Sequence, residues 1–255
     1  MRLDTLLTER GIFPSRTKSI QAINEGRVLY KGSKVKPSFN LETLDDIVVI
    51  KDEFVSNGGY KLKKALSDFN LTVKGMTFAD IGASNGGFTD CLLQNGASKV
   101  FAIDVGESQL DSSLSSSDKV VVLDNVNARY LTLDTLGEMV DGVTSDVSFI
   151  SVTLILDGIK NVLKKGGIAL LLIKPQFECG IKNLNKNGIV KSKKARHSAI
   201  EKVYNECVAR GLFAVNLTTA PIKEGKNVEY VIMLKNDDNS VYFSANELIN
   251  KLGEL

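Results

Sequence analysis

The hydrophobic positions of this chain fall into two regimes. Over residues 1–50 they are sparse and their period changes quickly. Leu3, Leu6 and Leu7 repeat at helical spacing and stop at Gly11, which predicts a short first helix. Ser15 opens a second helical stretch, with Ile20 and Ile23 on its buried face and an end at Gly26. Val28-Leu29-Tyr30, the Lys31-Gly32 turn and a run at Ile47–Ile50 predict short hairpin-like strands. Residues 1–55 therefore form a small α+β domain in this reading. Ser56-Asn57-Gly58-Gly59 concentrates turn-forming residues, so residues 56–60 are expected to be a linker.

Further along, strand and helix alternate. Apolar, β-rich runs occur at Thr77–Ile81, Val100–Ile103, Val120–Leu123, Val147–Ile150 and Ile168–Ile173, with helical stretches such as Ser151–Leu163 and Ala195–Arg210 between or after them. Near-continuous apolar strands separated by helices predict an α/β fold, a doubly wound, mainly parallel Rossmann-like sheet covered on both faces. Val215–Leu217 and Tyr230–Leu234 add a late antiparallel pair. This assigns residues 61–240 to one large domain and leaves residues 241–255 for a C-terminal helix.

Composition changes this picture only at its edges. With 255 residues, 43% of them hydrophobic and 24% charged, the chain has ordinary globular make-up. The net charge of +2 says little, but residues 1–40 hold eight Lys/Arg against three acids, an excess of five. The small N-terminal domain is thus expected to bind an anion. Cys91, Cys179 and Cys207 are far apart and form no metal-ligand pair, and His197 is the only histidine, so no metal is expected. The charged opening Met1-Arg2-Leu3-Asp4 does not have the form of a secretory signal. No apolar run reaches the ~20 residues of a membrane span. The expected location is the cytoplasm, with no membrane partner.

Candidate chemistry begins at Phe78-Ala79-Asp80-Ile81-Gly82-Ala83-Ser84-Asn85-Gly86-Gly87-Phe88, a strand, a glycine-rich turn and a helix start. Glycines there let backbone approach a ligand, although a purely structural turn has the same composition. The spacing is wrong for a dinucleotide fingerprint and the loop lacks the lysine of a phosphate-binding loop. About 20 residues on, Asp104 ends the second strand, where nucleotide-binding α/β folds hold ribose hydroxyls. Asp124 and Asn125 follow the third strand. The loop resembles the D-x-G-x-x-x-G-G turn of class I methyltransferases. That resemblance implies S-adenosylmethionine as cofactor, bound by Asp80, Gly82, Ser84, Gly86, Gly87, Phe88, Asp104, Asp124 and Asn125.

Four polar residues recur at sheet-end positions: Lys61 at a helix start, Asp146 opening the Val147–Ile150 run, Lys174 ending a very apolar strand, and Glu229 starting a later one. A lysine at a strand end is usually a surface cap. In an open α/β sheet, however, the carboxyl ends of strands are where ligands bind. A lysine held there between carboxylates can act as a general base or orient a hydroxyl. In order and context, these residues resemble the Lys-Asp-Lys-Glu tetrad of FtsJ-like ribose 2′-O-methyltransferases.

The N-terminal signature R-L-D-x-L-L, S-R, G-R-V-L-Y-K-G is similar to the RNA-binding domain named after small-subunit ribosomal protein four. It implies phosphate contacts by Arg10, Arg16, Lys18 and Arg27. Joined to K-P-Q-F-E and S-F-I-S, it makes the whole chain resemble the TlyA family. The resemblance implies methylation of ribosomal RNA, on cytidine, with the RNA or a ribosomal subunit as partner and no obligate protein partner. Gly180–Arg196 carries Lys182, Lys186, Lys191, Lys193, Lys194 and Arg196 with no acid. It directly follows Lys174 and is expected to contact RNA rather than to be merely a solvated loop. Two positions depart from the family pattern: Asn57 stands where an arginine is usual, and Gly106–Ser117 lacks basic residues. Three rival readings are a base methyltransferase using Cys179, a non-catalytic RNA-binding factor and a membrane-active hemolysin.

Overall fold

A computed structural model describes residues 1–107, 109–237 and 241–253, and the chain divides between Glu53 and Phe54 into two compact units. The first unit holds α1 (Leu3–Glu9), α2 (Arg16–Asn24) and an antiparallel sheet of β1 (Val28–Tyr30), β2 (Ser33–Lys34) and β3 (Ile47–Val49), in the order β2-β1-β3. Leu3, Leu7, Ala22, Ile23 and Val28 form its core. Ser15 caps α2 by accepting the Lys18 amide hydrogen at 3.3 Å. Ser19, Ala22 and Ile23 take the inward face of this helix, so Ile20 is only half-buried.

The second unit begins with α3 (Asn57–Asp68). It continues through β4 (Thr77–Ile81), α4 (Gly87–Gln94), β5 (Lys99–Ile103), α5 (Ser112–Ser115), β6 (Val120–Leu123), α6 (Leu133–Leu136) and β7 (Val140–Ser145). Then come α7 (Leu156–Val162), β8 (Leu163–Ile173), α8 (Pro175–Glu178), α9 (Lys193–Val208), β9 (Phe213–Thr219), β10 (Tyr230–Lys235) and α10 (Ala245–Lys251). The seven strands form one sheet in the order β6-β5-β4-β7-β8-β10-β9. Strands β4 to β8 are parallel, and β10 runs antiparallel to both its neighbours. The sheet is therefore the expected mainly parallel one with a late antiparallel pair. Residues 238–240 and 254–255, at the expected ends of the large domain and of the C-terminal helix, lie outside the described residues.

Period-two alternation feeds both faces. Along β8, Ala169, Leu171 and Ile173 join a core with Ile159 of α7 and Ile200 and Val203 of α9. Ile168, Leu170 and Leu172 join the opposite core, with Leu62 and Ala65 of α3 and Phe88 and Leu92 of α4. The sheet is thus buried on both sides, which explains near-continuous apolar runs such as Val100–Ile103 and Ile168–Ile173.

Two expectations are corrected. The fourth strand is Val140–Ser145, not Val147–Ile150. Its Asp141, Gly142, Thr144 and Ser145 hide the apolar signal, yet Gly142, Thr144 and Ser145 are buried. Residues 147–150 form the loop that follows, so Asp146 lies beyond the carboxyl end of a strand rather than opening one. The expected linker is the first turn of α3: Asn57, Gly58, Gly59 and Tyr60 are helical, with Gly59 packed against Phe54. A side chain at Gly59 would collide with that ring, so the glycine marks close packing instead of flexibility.

The chain winds outward from β4 to β5 and β6, then returns to lay β7 and β8 on the other side. The winding reverses between β4 and β7. The crevice at their carboxyl ends is the place where open α/β sheets bind ligands.

Candidate active site

The loop between β4 and α4 owes its shape to two glycines. Gly82 has φ +79°, and a Cβ there would lie 3.2 Å from the Val147 backbone nitrogen. Gly86 has φ +92°, and its missing Cβ leaves room for Leu114 and for Leu110 Cδ1 at 2.7 Å. Ser84 adopts φ +47° without being glycine, and its amide donates to Asp104 Oδ2 at 2.8 Å. Asp104 Oδ1 accepts the Gly106 amide hydrogen at 2.8 Å. One carboxylate thus ties the glycine loop to the end of β5.

Below this tie lies a cavity of about 540 Å³ with Ile81, Ile103, Val126, Val147, Ile150 and Ile155 on its walls and Ser84, Asp104 and Asn127 among its polar groups. That volume is in the range of small-ligand sites. Apolar walls around a carboxylate suit a flat heterocycle carrying ribose hydroxyls, so the residues fit S-adenosylmethionine. A second cavity of about 260 Å³ adjoins it. The second is lined by Gly58, Lys61, Gly87, Phe88 and Lys174, and it shares Gly82, Ser84, Asp146 and Ser148 with the first.

Of the expected cofactor residues, Gly82, Ser84 and Asp104 line the large cavity, and Gly87 and Phe88 line the small one. Asp80, Gly86, Asp124 and Asn125 line neither. Asp80 is fully buried beneath the loop, accepting hydrogen bonds from Thr89 Oγ1 at 2.7 Å and Thr144 Oγ1 at 2.9 Å. Burial pushes its pKa up to about 6, against the pull of those hydroxyls. Asn125 turns the chain with φ +59°, so the wall is made by Val126 and Asn127, one and two residues later.

The tetrad is assembled from four separate elements. Lys61 comes from the second turn of α3, Asp146 follows β7, Lys174 follows β8 and Glu229 precedes β10. Lys61 Nζ lies 2.8 Å from Glu229 Oε2 and 3.1 Å from Asp146 Oδ2. Lys174 Nζ lies 2.6 Å from Asp146 Oδ1. Burial works against a charge on Lys61, but the carboxylates of Asp146 and Glu229 outweigh it and raise its pKa above the ordinary lysine value. The result is an alternating chain, Glu229–Lys61–Asp146–Lys174, whose two lysines line the smaller cavity and whose Asp146 lines both. The side chain of Lys174 is only 8% exposed.

Sequence reasoning missed the residues that hold this chain in place. Ser148 Oγ accepts from Lys174 Nζ at 2.5 Å. Glu178, 1% exposed in its side chain, accepts from Ser151 Oγ at 2.5 Å and the Val152 amide at 2.8 Å, and pairs with Lys202 at 3.1 Å. It pins the loop after Asp146 to the segment after Lys174. Between these anchors Phe149 takes φ +67°, 88% exposed, its ring 5.5 Å from that of Phe177. A bulky residue at positive φ costs on the order of 1–3 kcal/mol and persists only where neighbours enforce it. The S-F-I-S and K-P-Q-F-E strings were the available signal, because all of these contacts except that to Lys202 join one string to the other or to its flanks.

The expected RNA contacts separate into two kinds. In the first unit Arg10, Arg16 and Lys18 are exposed. Arg16 and Arg2 hold buried Asp4 at 3.1 and 2.9 Å, and these partners lower its pKa to about 2. Arg27 is engaged by Glu25 at 2.8 Å and Asp52 at 2.9 Å. In the second unit Lys182, Lys191, Lys193 and Lys194 are exposed. Arg196 instead turns inward, donating to Tyr230 Oη at 3.1 Å and the Lys191 carbonyl at 2.9 Å. Asn227 fastens the basic loop by accepting the Val190 amide at 2.8 Å and donating to the Gly188 carbonyl at 2.9 Å.

Cys179 lines neither cavity, and burial pushes its thiol above the ordinary range; Cys207 is pushed up to about 12. Neither is poised as a thiolate nucleophile. Among the described residues no group of three or more His, Cys, Asp or Glu is placed to hold a metal. No helix among them is long and apolar enough to cross a membrane.

The profile of the FtsJ-like methyltransferases matches residues 54–236, and that of the S4 domain matches residues 1–48. YqxC of Bacillus subtilis, named as a candidate rRNA methyltransferase, is 39% identical, with 91% of this chain and 85% of that protein covered. The 16S/23S rRNA (cytidine-2′-O)-methyltransferase TlyA of Mycobacterium tuberculosis is 36% identical, with 92% and 89% covered. A crystal structure of a hemolysin-named protein from Lactococcus lactis superposes with a TM-score of 0.73 at 40% identity, covering 79% of this chain and 99% of that one. Matched by these profiles and relatives over most of its length, the chain belongs to the FtsJ-like methyltransferase family and carries an N-terminal S4 domain.

Proposed function

We propose that this protein transfers a methyl group from S-adenosylmethionine to a ribose 2′-hydroxyl of ribosomal RNA, with cytidine, the nucleoside in the TlyA relative's name, as the target. One observation carries the reading. In the linked Glu229–Lys61–Asp146–Lys174 chain, both lysines line the smaller cavity and Asp146 lies where it meets the cofactor-sized one. The cofactor, when bound, supplies an electrophilic methyl carbon on a sulfonium sulfur. Ser84, Asp104 and Asn127 would hold its polar groups, and the apolar wall its adenine.

Lys174 activates the ribose hydroxyl. Asp146 holds Lys174 in position and balances its charge. Lys61 remains a cation and orients the target nucleotide, and Glu229 fixes Lys61. Exposed Phe149 presents an aromatic face beside Ser148, the kind of surface on which an unstacked base rests. Lys193 and Lys194 stand in the first turn of α9, where they oppose the helix dipole. That arrangement is costly unless an anion offsets it, and RNA phosphate is such an anion. Arg10, Arg16 and Lys18 give the S4 domain a similar surface.

Lys174→Ala is the test. Methyl transfer should fall at least about 10²-fold, while cofactor affinity stays within a few-fold, because Lys174 acts on the hydroxyl and not on the cofactor. Wild-type turnover in this variant would overturn the assignment. Cys179→Ser should retain activity, whereas a base methyltransferase with a cysteine nucleophile would lose it.

A further inference from the structure

Lys174 has more acceptors around it than a base in direct contact with substrate would want. Its Nζ lies 2.6 Å from Asp146 Oδ1, 2.5 Å from Ser148 Oγ and 3.3 Å from the Asp146 carbonyl. An ammonium has three hydrogens and no lone pair, so these three acceptors use it up. A neutral amine has two hydrogens and one lone pair. It can keep both Asp146 contacts and turn the lone pair to Ser148, whose hydroxyl then donates to nitrogen. That frees a lone pair on Ser148 Oγ for an incoming hydroxyl.

Ser148 is placed for this. It is exposed, and it lines both the cofactor cavity and the tetrad cavity. The Lys174 side chain is nearly buried behind it. Phe149 at positive φ and the Glu178 contacts to Ser151 and Val152 fix the loop that presents it.

We infer that the Ser148 hydroxyl relays the proton from the ribose 2′-hydroxyl to Lys174. This inference rests on Lys174 being the activator of that hydroxyl. In the step, a bond forms between the ribose oxygen and the methyl carbon as the carbon–sulfur bond breaks, and the bonding pair leaves on sulfur. The ribose proton passes to Ser148 Oγ while the Ser148 proton passes to Lys174 Nζ. Ser148 ends as a hydroxyl and neutral Lys174 becomes an ammonium held by Asp146. Lys174 enters the step as the free amine, its own proton having left to solvent beforehand, and the balance then closes.

The experiment is single-turnover methyl transfer by the full-length protein to ribosomal RNA, comparing wild type with Ser148→Ala, Ser148→Thr and Lys174→Ala. Cofactor and RNA affinities are measured separately by calorimetry and filter binding. Ser148→Ala should slow transfer about 10- to 100-fold with both affinities within two-fold, and Ser148→Thr should recover most of the rate because it restores a hydroxyl. Rates in mixtures of light and heavy water should bow for wild type, where two protons move, and be linear for Ser148→Ala. A Ser148→Ala rate within two-fold of wild type, beside an inactive Lys174→Ala, would overturn the relay and leave the site reading standing. So would a Ser148→Thr variant as slow as Ser148→Ala, or a linear plot for wild type. An active Lys174→Ala would instead overturn the site reading, and the relay with it.

Discussion

Lys61 and Asp146 stand 85 positions apart in the sequence, yet they meet at 3.1 Å, and Asp146 holds Lys174 with its other oxygen. One carboxylate thereby sets the position of both cations. Asp146→Ala should accordingly be as damaging to transfer as loss of Lys174, at least about 10²-fold, because it leaves both cations without their shared partner. Asp146→Asn keeps the shape but not the charge and should fall between Asp146→Ala and wild type. Single-turnover rates of the two variants check this order.

The glycine loop separates cofactor effects from packing effects. Gly82→Ala would place a Cβ 3.2 Å from the Val147 nitrogen, in a left-handed backbone, and push on the segment that carries Asp146. It should weaken both cofactor binding and transfer. Gly86→Ala meets Leu110 and Leu114 instead, so it should lower the unfolding temperature more than it affects the cavity. Calorimetric cofactor binding beside thermal unfolding of each variant distinguishes the two outcomes.

Asp80 gives a pH dependence with a definite sign. Its folded-state pKa of about 6 lies above the unfolded value of about 4, so the folded chain holds the extra proton between them. Stability therefore falls as pH rises through that window, on the order of 3 kcal/mol if no other contact relaxes. Asp80→Asn removes this titration. The stability difference between variant and wild type should shift in the variant's favour from pH 4 to pH 7, followed by denaturant unfolding at several pH values. A difference that does not change with pH would contradict the assignment.

The basic residues of the first unit should not behave alike. Arg10→Ala and Lys18→Ala should each lower the salt slope of RNA binding by about one, as expected for loss of one phosphate contact. Arg27 is tied to Glu25 and Asp52, so Arg27→Ala should cost about 1 kcal/mol of stability and change the slope less. Titrations across salt concentrations, with unfolding curves alongside, test both statements.

Much of this was legible because the chemistry is local in sequence. The second half of β8, Ile168–Ile173, announces itself by an unbroken apolar run, and Lys174 is visible as the polar residue that ends it. The glycine loop shows through its spacing, and the tetrad through its order along the chain. Strand β7 was not legible, because two-sided burial there is met by glycine and by small hydroxyl residues, of which Thr144 bonds to Asp80. Asp80 itself looked like a ligand residue because an acid beside a glycine loop has the same sequence whether it faces the cavity or the core. Arg196 looked like one more RNA contact, since sequence gives its charge but not the Tyr230 hydroxyl that captures it. Ser148 and Glu178 were hidden for the same reason: their roles lie in contacts between segments.

Methyl transfer to a ribose oxygen through Lys174 leaves a chemical signature in the RNA. Ribosomal RNA is methylated by the protein with radiolabelled S-adenosylmethionine and then cleaved with alkali, which requires a free 2′-hydroxyl at each linkage. Label recovered in an alkali-resistant dinucleotide, and absent from RNA treated with the Lys174→Ala variant, is the result expected. Label released in mononucleotides, or an alkali-resistant product formed equally well without Lys174, would contradict it.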